Sequence, residues 1–371
     1  MYYFLTASKD ATIYRQHPEQ NTGLDQILEV SKTYYGSQRE ISRALIQFDM
    51  TKLAELIASD DVVLQEAKLI LYETESEEIP LDYSVYAHPI SESWDMGTGT
   101  RFDEITLEPV NWRYRKAPAV MWGSGSDFID YEDDSGSVLM DDFGNAIGEP
   151  TFNPIFTGGT WLFDYYGQQD FAYQTADIEM DVTDIVEQWV NGNIENYGLI
   201  VKHSFDADKD ANDYGTLKFF SKETHTIYQP RIRVAWEDQV FNTGSLEEVG
   251  DEAIKIVLRN FKKKYRRDKR ARVNMSARDL YPLKTFQSPF PYEVTKFLPE
   301  TTYYQIRDVE TDTVIIPFSD YSKVSCDESG NFIILDFTNW EVNRAYKIEF
   351  RVEHDGSVFH FDDDDIFEIV N

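Results

Sequence analysis

Short apolar segments alternate with polar residues along this chain. Each breaks off after a few positions at Gly, Pro, Asn or Asp, which leaves little room for anything but a β architecture. Ala67-Lys-Leu-Ile-Leu-Tyr72 and Arg231-Ile-Arg-Val-Ala-Trp236 put every second side chain on one face, as half-buried antiparallel strands do. Residues 2–7, 44–48, 62–72, 83–90, 198–202 and 217–220 read the same way, being β-branched or aromatic and short. Two helices interrupt them. One covers 51–58 behind a capping Asp49, and the other covers 181–190 with Val182, Ile185, Val186 and Trp189 on one face. Many short strands with few helices predict a sandwich or jelly roll.

Period two returns after residue 250. Ile254, Ile256 and Leu258 alternate with polar neighbours, as do Ala271, Val273, Met275 and Ala277, so 253–272 reads as strands rather than one basic helix. Further strands at 303–308, 313–317, 332–337, 346–353 and 359–362 suit an immunoglobulin-like sandwich. Between the halves, Asn242-Thr-Gly-Ser-Leu-Glu-Glu-Val-Gly250 carries turn chemistry, and the charge changes across it. The first 249 residues hold 17 basic and 45 acidic side chains, and the remainder hold 18 and 22. The fold class is therefore mainly β: a jelly-roll-like β-sandwich over 1–241, a linker at 242–250, and an immunoglobulin-like β-sandwich over 251–371.

A net charge of −32 argues against nucleic acid and anionic membranes as partners, since both carry the same sign. The longest uncharged run, 150–163, is 14 residues with Pro and Gly in it, too short to span a bilayer. The first residues lack the basic and apolar regions of a signal peptide, and a single cysteine, Cys326, allows no internal disulfide. No nucleophile elbow, zinc-protease helix or phosphate loop is present, so no catalytic residue is assigned and the reading is non-enzymatic.

Three clusters carry possible binding chemistry. Asp206, Asp208 and Asp210 repeat the spacing with which a calcium loop aims oxygens at one cation, and Asp213 extends the set, so a structural Ca²⁺ is a candidate cofactor. Ala211 stands where such a loop needs glycine, and a solvated acidic loop accounts for the same residues. Trp112, Trp122 and Trp161 lie near glycine-rich segments and could offer ring faces to a sugar, whereas Trp94, Trp189 and Trp236 read as core. Lys262, Lys263, Lys264, Arg266, Arg267, Lys269 and Arg270 crowd a stretch with one acid, Asp268, and suit an acidic protein partner; a soluble hairpin tip would also account for them. Phe261 and Tyr265 would supply the apolar part of that contact.

Residues 1–237 resemble a DNRLRE-type domain, a β-sandwich module of bacterial surface and secreted proteins related in shape to carbohydrate-binding modules. The likeness rests on Asp10-Ala-Thr-Ile-Tyr14, Asn21-Thr-Gly23, Leu28-Glu-Val30, Ser42-Arg-Ala-Leu-Ile-Gln-Phe-Asp49 and Ala67-Lys-Leu-Ile-Leu71. Trp94, Asp181-Val-Thr-Asp-Ile-Val-Glu-Gln-Trp189 and Tyr197-Gly-Leu-Ile-Val-Lys202 complete it. Residues 96–156 depart from that pattern as a long insertion.

Residues 251–371 resemble C-terminal modules of virion structural proteins of large contractile-tailed bacteriophages, particularly cyanophages. Tyr281-Pro-Leu-Lys-Thr-Phe286, Leu298-Pro-Glu-Thr-Thr-Tyr-Tyr-Gln-Ile-Arg-Asp308 and Ile315-Ile-Pro-Phe318 carry this likeness. Together the resemblances imply a virion protein of the tail, neck or baseplate periphery, assembled in the bacterial cytoplasm. It would dock in multiple copies, as a homo-oligomer or ring, on other virion proteins. The alternative they imply is an adhesin for host surface glycan.

Overall fold

The computed structural model describes residues 1–36, 38–60, 62–101, 109–116, 120–123, 158–172, 177–250, 253–282, 286 and 294–371. Most of the insertion at 96–156 lies outside them. The chain is mainly β, as its alternation implies, and consists of two compact units. Leu5–Asp61 with Glu66–Arg233 form the N-terminal unit, and Met1–Phe4, Val62–Gln65 and Val234–Asn371 form the C-terminal unit.

The N-terminal unit is built on one forked antiparallel sheet. Its strands are β1 (Tyr2–Tyr14), β2 (Ile27–Tyr35), β3 (Gln38–Phe48), β4 (Glu66–Leu71), β5 (Glu73–Glu77) and β6 (Asp82–Pro89). A separate small pair, β7 (Tyr114–Lys116) and β8 (Val120–Met121), follows. The sheet is completed by β9 (Gly167–Ala172), β10 (Ile178–Asp181), β11 (Leu199–His203), β12 (Gly215–Phe220) and β13 (Arg231–Ala235). The main order is β10-β4-β13-β1-β3-β11-β6-β9. The fork is at β3: residues 42–48 lie between β1 and β11, whereas 38–42 pair with β2, which leads through β12 to β5. Alternation in sequence becomes alternation in burial along β12, while all of β11 is buried.

The helices α1 (Thr51–Asp60) and α2 (Thr183–Val190) stand where period and caps place them. The Asp49 carboxylate accepts from the Thr51 amide at 2.9 Å, and α2 buries Ile185, Val186 and Trp189. A third helix, α3 (Phe205–Lys209), was not foreseen. It replaces part of the acidic loop, and Ser204 caps it by accepting from the Ala207 amide at 2.9 Å.

The C-terminal unit is a sandwich of two sheets. One has the order β14-β16-β20-β19, from Ile254–Leu258, Arg270–Asp279, Gly330–Asp336 and Ser325–Asp327. The other runs β15-β22-β21-β17-β18, from Lys264–Arg266, Ser357–Val370, Ala345–His354, Thr302–Asp308 and Val314–Ile316. Tyr265, Val273, Ile306, Leu335, Phe337, Ile348 and Phe367 form their shared core. The reading of 242–250 as a linker needs correction, because this stretch is tied into the unit. Phe297 donates its amide to Glu247 O at 2.9 Å, Val249 returns one to Phe297 O at 3.1 Å, and the Gly250 amide reaches Asp279 Oδ1 at 2.6 Å. Turn chemistry here serves a tertiary connection, and the division falls between Arg233 and Val234.

Candidate functional site

The densest chemistry in the N-terminal unit is a buried charge cluster on β3, β11 and α3. Strands β3 and β11 pair with Val201 opposite Ala44, and the same register sets Lys202 opposite Arg43. Like charges directly across a ladder repel. Both side chains also point into apolar surroundings, where each is 1% exposed, so the local sequence makes an arrangement that only a third group can hold.

That group is Asp208. The turn from β11 into α3 brings its carboxylate back over the strands. Oδ2 accepts from Arg43 Nη2 at 2.9 Å and pairs with Lys202 Nζ at 2.8 Å, and Asp208 itself is 1% exposed. Arg43 Nη1 also donates to Gly158 O at 2.7 Å, and Lys202 Nζ donates to His203 O at 2.7 Å. Burial alone would push the Asp208 carboxyl up, but Lys202 and Arg43 outweigh it and hold the group below its ordinary range. Burial, reinforced by Arg43 and opposed by Asp208, brings the Lys202 amine down to about 8. Burial also brings His203 down to about 4; its ring lies 5.3 Å from that of Tyr214 and 6.4 Å from that of Tyr83.

The proposed calcium set is dismantled by this arrangement. Asp208 is committed to two cations. Asp210 Oδ1 is bound by Lys32 Nζ at 2.5 Å, and its Oδ2 accepts from Tyr214 Oη at 2.8 Å. Asp213 Oδ1 caps the Gly215 amide at 2.8 Å, and Asp206 is exposed on α3. A helical turn points residues two apart to different sides, so carboxylates at 206, 208 and 210 do not converge. Among the described residues, no group of three or more His, Cys, Asp or Glu side chains is placed to hold a metal.

The three tryptophans proposed as a sugar platform are also placed otherwise. Trp112, Trp122 and Trp161 are 2%, 3% and 2% exposed and share one core with Ile13, Leu45, Trp94 and Ile200. The Arg43 guanidinium lies 4.9 Å from the Trp112 ring and 5.2 Å from that of Trp161, and Lys202 Nζ lies 5.2 Å from the Trp161 ring. These rings face buried cations rather than solvent. Trp122 Nε1 donates to Asn111 O at 2.9 Å, so its polar edge is satisfied internally as well.

The basic stretch remains at the surface. Lys262, Lys263, Lys264, Arg266, Lys269 and Arg270 are exposed and Arg267 is half-buried. It is not a free hairpin tip, because β15 crosses to the second sheet and pairs in parallel with β22, Lys264 opposite Glu368 and Arg266 opposite Val370. Lys264 pairs with Glu368 at 2.9 Å and Arg270 with Asp336 at 3.3 Å, whereas Lys262, Lys263, Arg266, Arg267 and Lys269 form no ion pair among the described residues. Phe261 and Tyr265 are not available to a partner. Tyr265 is 8% exposed in the core and Phe261 packs against it and against Phe367.

Sequence reasoning found Arg43 within the strand that carried the family likeness and found Asp208 as an acid, but it joined neither to Lys202. The available signal was a basic residue set directly against an apolar run in each strand, Arg43 before Ala44-Leu-Ile46 and Lys202 after Leu199-Ile-Val201. Comparisons with known proteins add little. No family model matches the chain, and no curated protein matches it. A crystal structure of a DUF4785 family protein from Legionella pneumophila is similar over 99% of this chain and 66% of that one, just under two thirds, at 8% identity and a TM-score of 0.21. A likeness of that size carries no argument about fold or function.

Proposed function

We propose that this protein is a non-enzymatic structural component of a bacteriophage particle, of the tail, neck or baseplate periphery, and that it works by docking in multiple copies. One observation supports the docking: among the described residues, five cations in eight residues, Lys262 to Lys269, form no ion pair on the surface of a chain with net charge −32. Such a patch seeks carboxylates, and paired charges across an interface set orientation and register more than affinity. The buried cluster fits the same reading. Lys202 has an amine near 8, as a nucleophile would, yet at 1% exposure it presents no face to a substrate. The virion assignment itself rests on the sequence resemblance of 251–371.

Mass spectrometry of density-purified particles tests the assignment. The wild-type chain should be present in a fixed copy number. Replacing Lys262, Lys263, Lys264, Arg266 and Arg267 with Ser should reduce incorporation while leaving the fold intact by circular dichroism. Absence of the chain from particles would reject the assignment, and normal incorporation of the variant would reject the role of the patch.

A further inference from the structure

The proposal rests on the docking reading above and names the surface that receives the basic stretch. Along β6, period two sets Ser84, Tyr86 and His88 on one face. Pairing with β9 adds Asp170 and Gln168 to that face, opposite Ser84 and Tyr86. The chain before β9 turns back over the end of β6: the Leu162 amide donates to Pro89 O at 2.9 Å, and His88 Nδ1 donates to Tyr165 O at 3.1 Å. The buried His88 ring, which burial keeps neutral, then lies 6.2, 5.9 and 5.9 Å from the rings of Tyr86, Phe163 and Tyr166. Tyr86 and Tyr166 are themselves 5.9 Å apart. Tyr86 is half-buried, but Phe163 and Tyr166 are 42% and 55% exposed, so a cluster of rings opens to solvent. Exposed rings that cluster, unlike single ones, mark an interaction site.

Two carboxylates border these rings. Asp170 Oδ1 accepts from Ser84 Oγ at 2.6 Å and from Gln168 Nε2 at 2.7 Å, which holds it beside Tyr86. Burial raises the Tyr86 phenol, and Asp170, Tyr166 and Asp206 raise it further, so Asp206 on α3 stands close as well. Both acids are exposed, and neither forms an ion pair among the described residues, whereas Glu77 and Glu179 have Lys218 and Arg233. An apolar partner would strand these carboxylates. A cation satisfies both elements, because ring faces attract it and the acids neutralise it, and a planar guanidinium also stacks. The same chain carries cations with no counter-ion. We propose that the Tyr86, Phe163 and Tyr166 patch, with Asp170 and Asp206, takes up Lys262, Lys263 and Arg266 of a second copy. The contact joins two different surfaces and so propagates from copy to copy, which suits an assembly built of repeated units.

The test is sedimentation velocity on the full chain at low and high ionic strength. Wild type should associate at low salt and dissociate as salt rises. K262E/K263E/R266E and D170K/D206K should each weaken association by about tenfold or more, and F163S/Y166S should do so without any change of charge. An equimolar mixture of the two charge-reversed variants should regain it, because the intact basic stretch of one meets the intact patch of the other. Near-wild-type circular dichroism of each variant excludes misfolding. A wild type that stays monomeric would overturn the contact and leave the rings to another ligand, such as a neutral sugar. Association that ignores salt, F163S/Y166S associating like wild type, or a mixture that gains nothing would each overturn it too. Failure here with continued loss of the Ser-substituted chain from particles would leave docking on a different virion protein standing. Restored association in the mixture with no chain in particles would keep the contact and reject the virion role.

Discussion

Arg43 Nη2 stands 2.9 Å from Asp208 Oδ2, both residues are 1% exposed, and they come from positions 165 apart in the chain. Lys202 on the neighbouring strand shares the same carboxylate. Removing that carboxylate leaves two cations in an apolar interior. Asp208→Asn should therefore destabilise the N-terminal unit by about 3–5 kcal/mol, the range seen when one partner of a buried pair is deleted. Urea denaturation followed by tryptophan fluorescence reads this out. Replacing all three with apolar residues of similar volume should be milder than the single change. A neutral Asp208→Asn would show that the cations are not held by this carboxylate.

Calcium should not stabilise the protein. Asp208 and Asp210 already have cationic partners, so binding would have to break a pair for each oxygen it gained. Thermal melts with millimolar Ca²⁺ and with chelator should superimpose, because a ligand that binds only the folded state raises Tm by mass action. A rise of several degrees would restore the metal reading.

Gly158 holds the cluster from the other side. Its φ is +94°, a β-carbon there would meet Trp112 at 2.6 Å, and its carbonyl accepts from Arg43. Gly158→Ala should cost about 1–3 kcal/mol through backbone strain, with added loss as Trp112 shifts. Trp112→Ala should itself cost about 3–5 kcal/mol, as expected of a core aromatic rather than a ligand-binding one. Chemical denaturation of both variants checks this, and an unchanged midpoint for Trp112→Ala would place that ring outside the core.

Two sets of buried groups give stability opposite dependences on pH. Burial raises Asp10 to about 7 although the Lys222 amide donates to it at 2.6 Å. The folded state therefore binds this proton more tightly than the unfolded chain, and stability from Asp10 is lost as pH rises from about 4 to about 7. Asp10→Asn should remove that loss and flatten the melting temperature on the neutral side. Burial lowers His88 and His203 to about 4, so their contribution is present above the ordinary histidine value and is lost as pH falls toward about 4. His203→Phe should shallow the acid limb. Melting curves across this range decide both, and an Asp10→Asn profile parallel to wild type would contradict the first.

Much of the architecture could be read from residue order alone. Alternation at Ala67–Leu71 and along 254–258 marked strands because a half-buried sheet sorts side chains at period two. Asp49 and the spacing of Ile185, Val186 and Trp189 marked helices because caps and amphipathic faces are local. The surface exposure of the basic stretch was equally legible, since so many like charges cannot be buried together. Tertiary structure alone decided what the polar residues in the interior do. Asp208 looks like a calcium ligand among its neighbours in sequence, but strand register sets Arg43 and Lys202 side by side and makes a counter-ion of it. Trp112, Trp122 and Trp161 look like a platform beside their glycines, but all three are buried in one core, where Trp112 and Trp161 lie against those same cations. Helix, strand and turn propensities are set within a few residues, whereas a buried charge is balanced by whichever group the fold brings within about 3 Å, and its position in the chain is unconstrained.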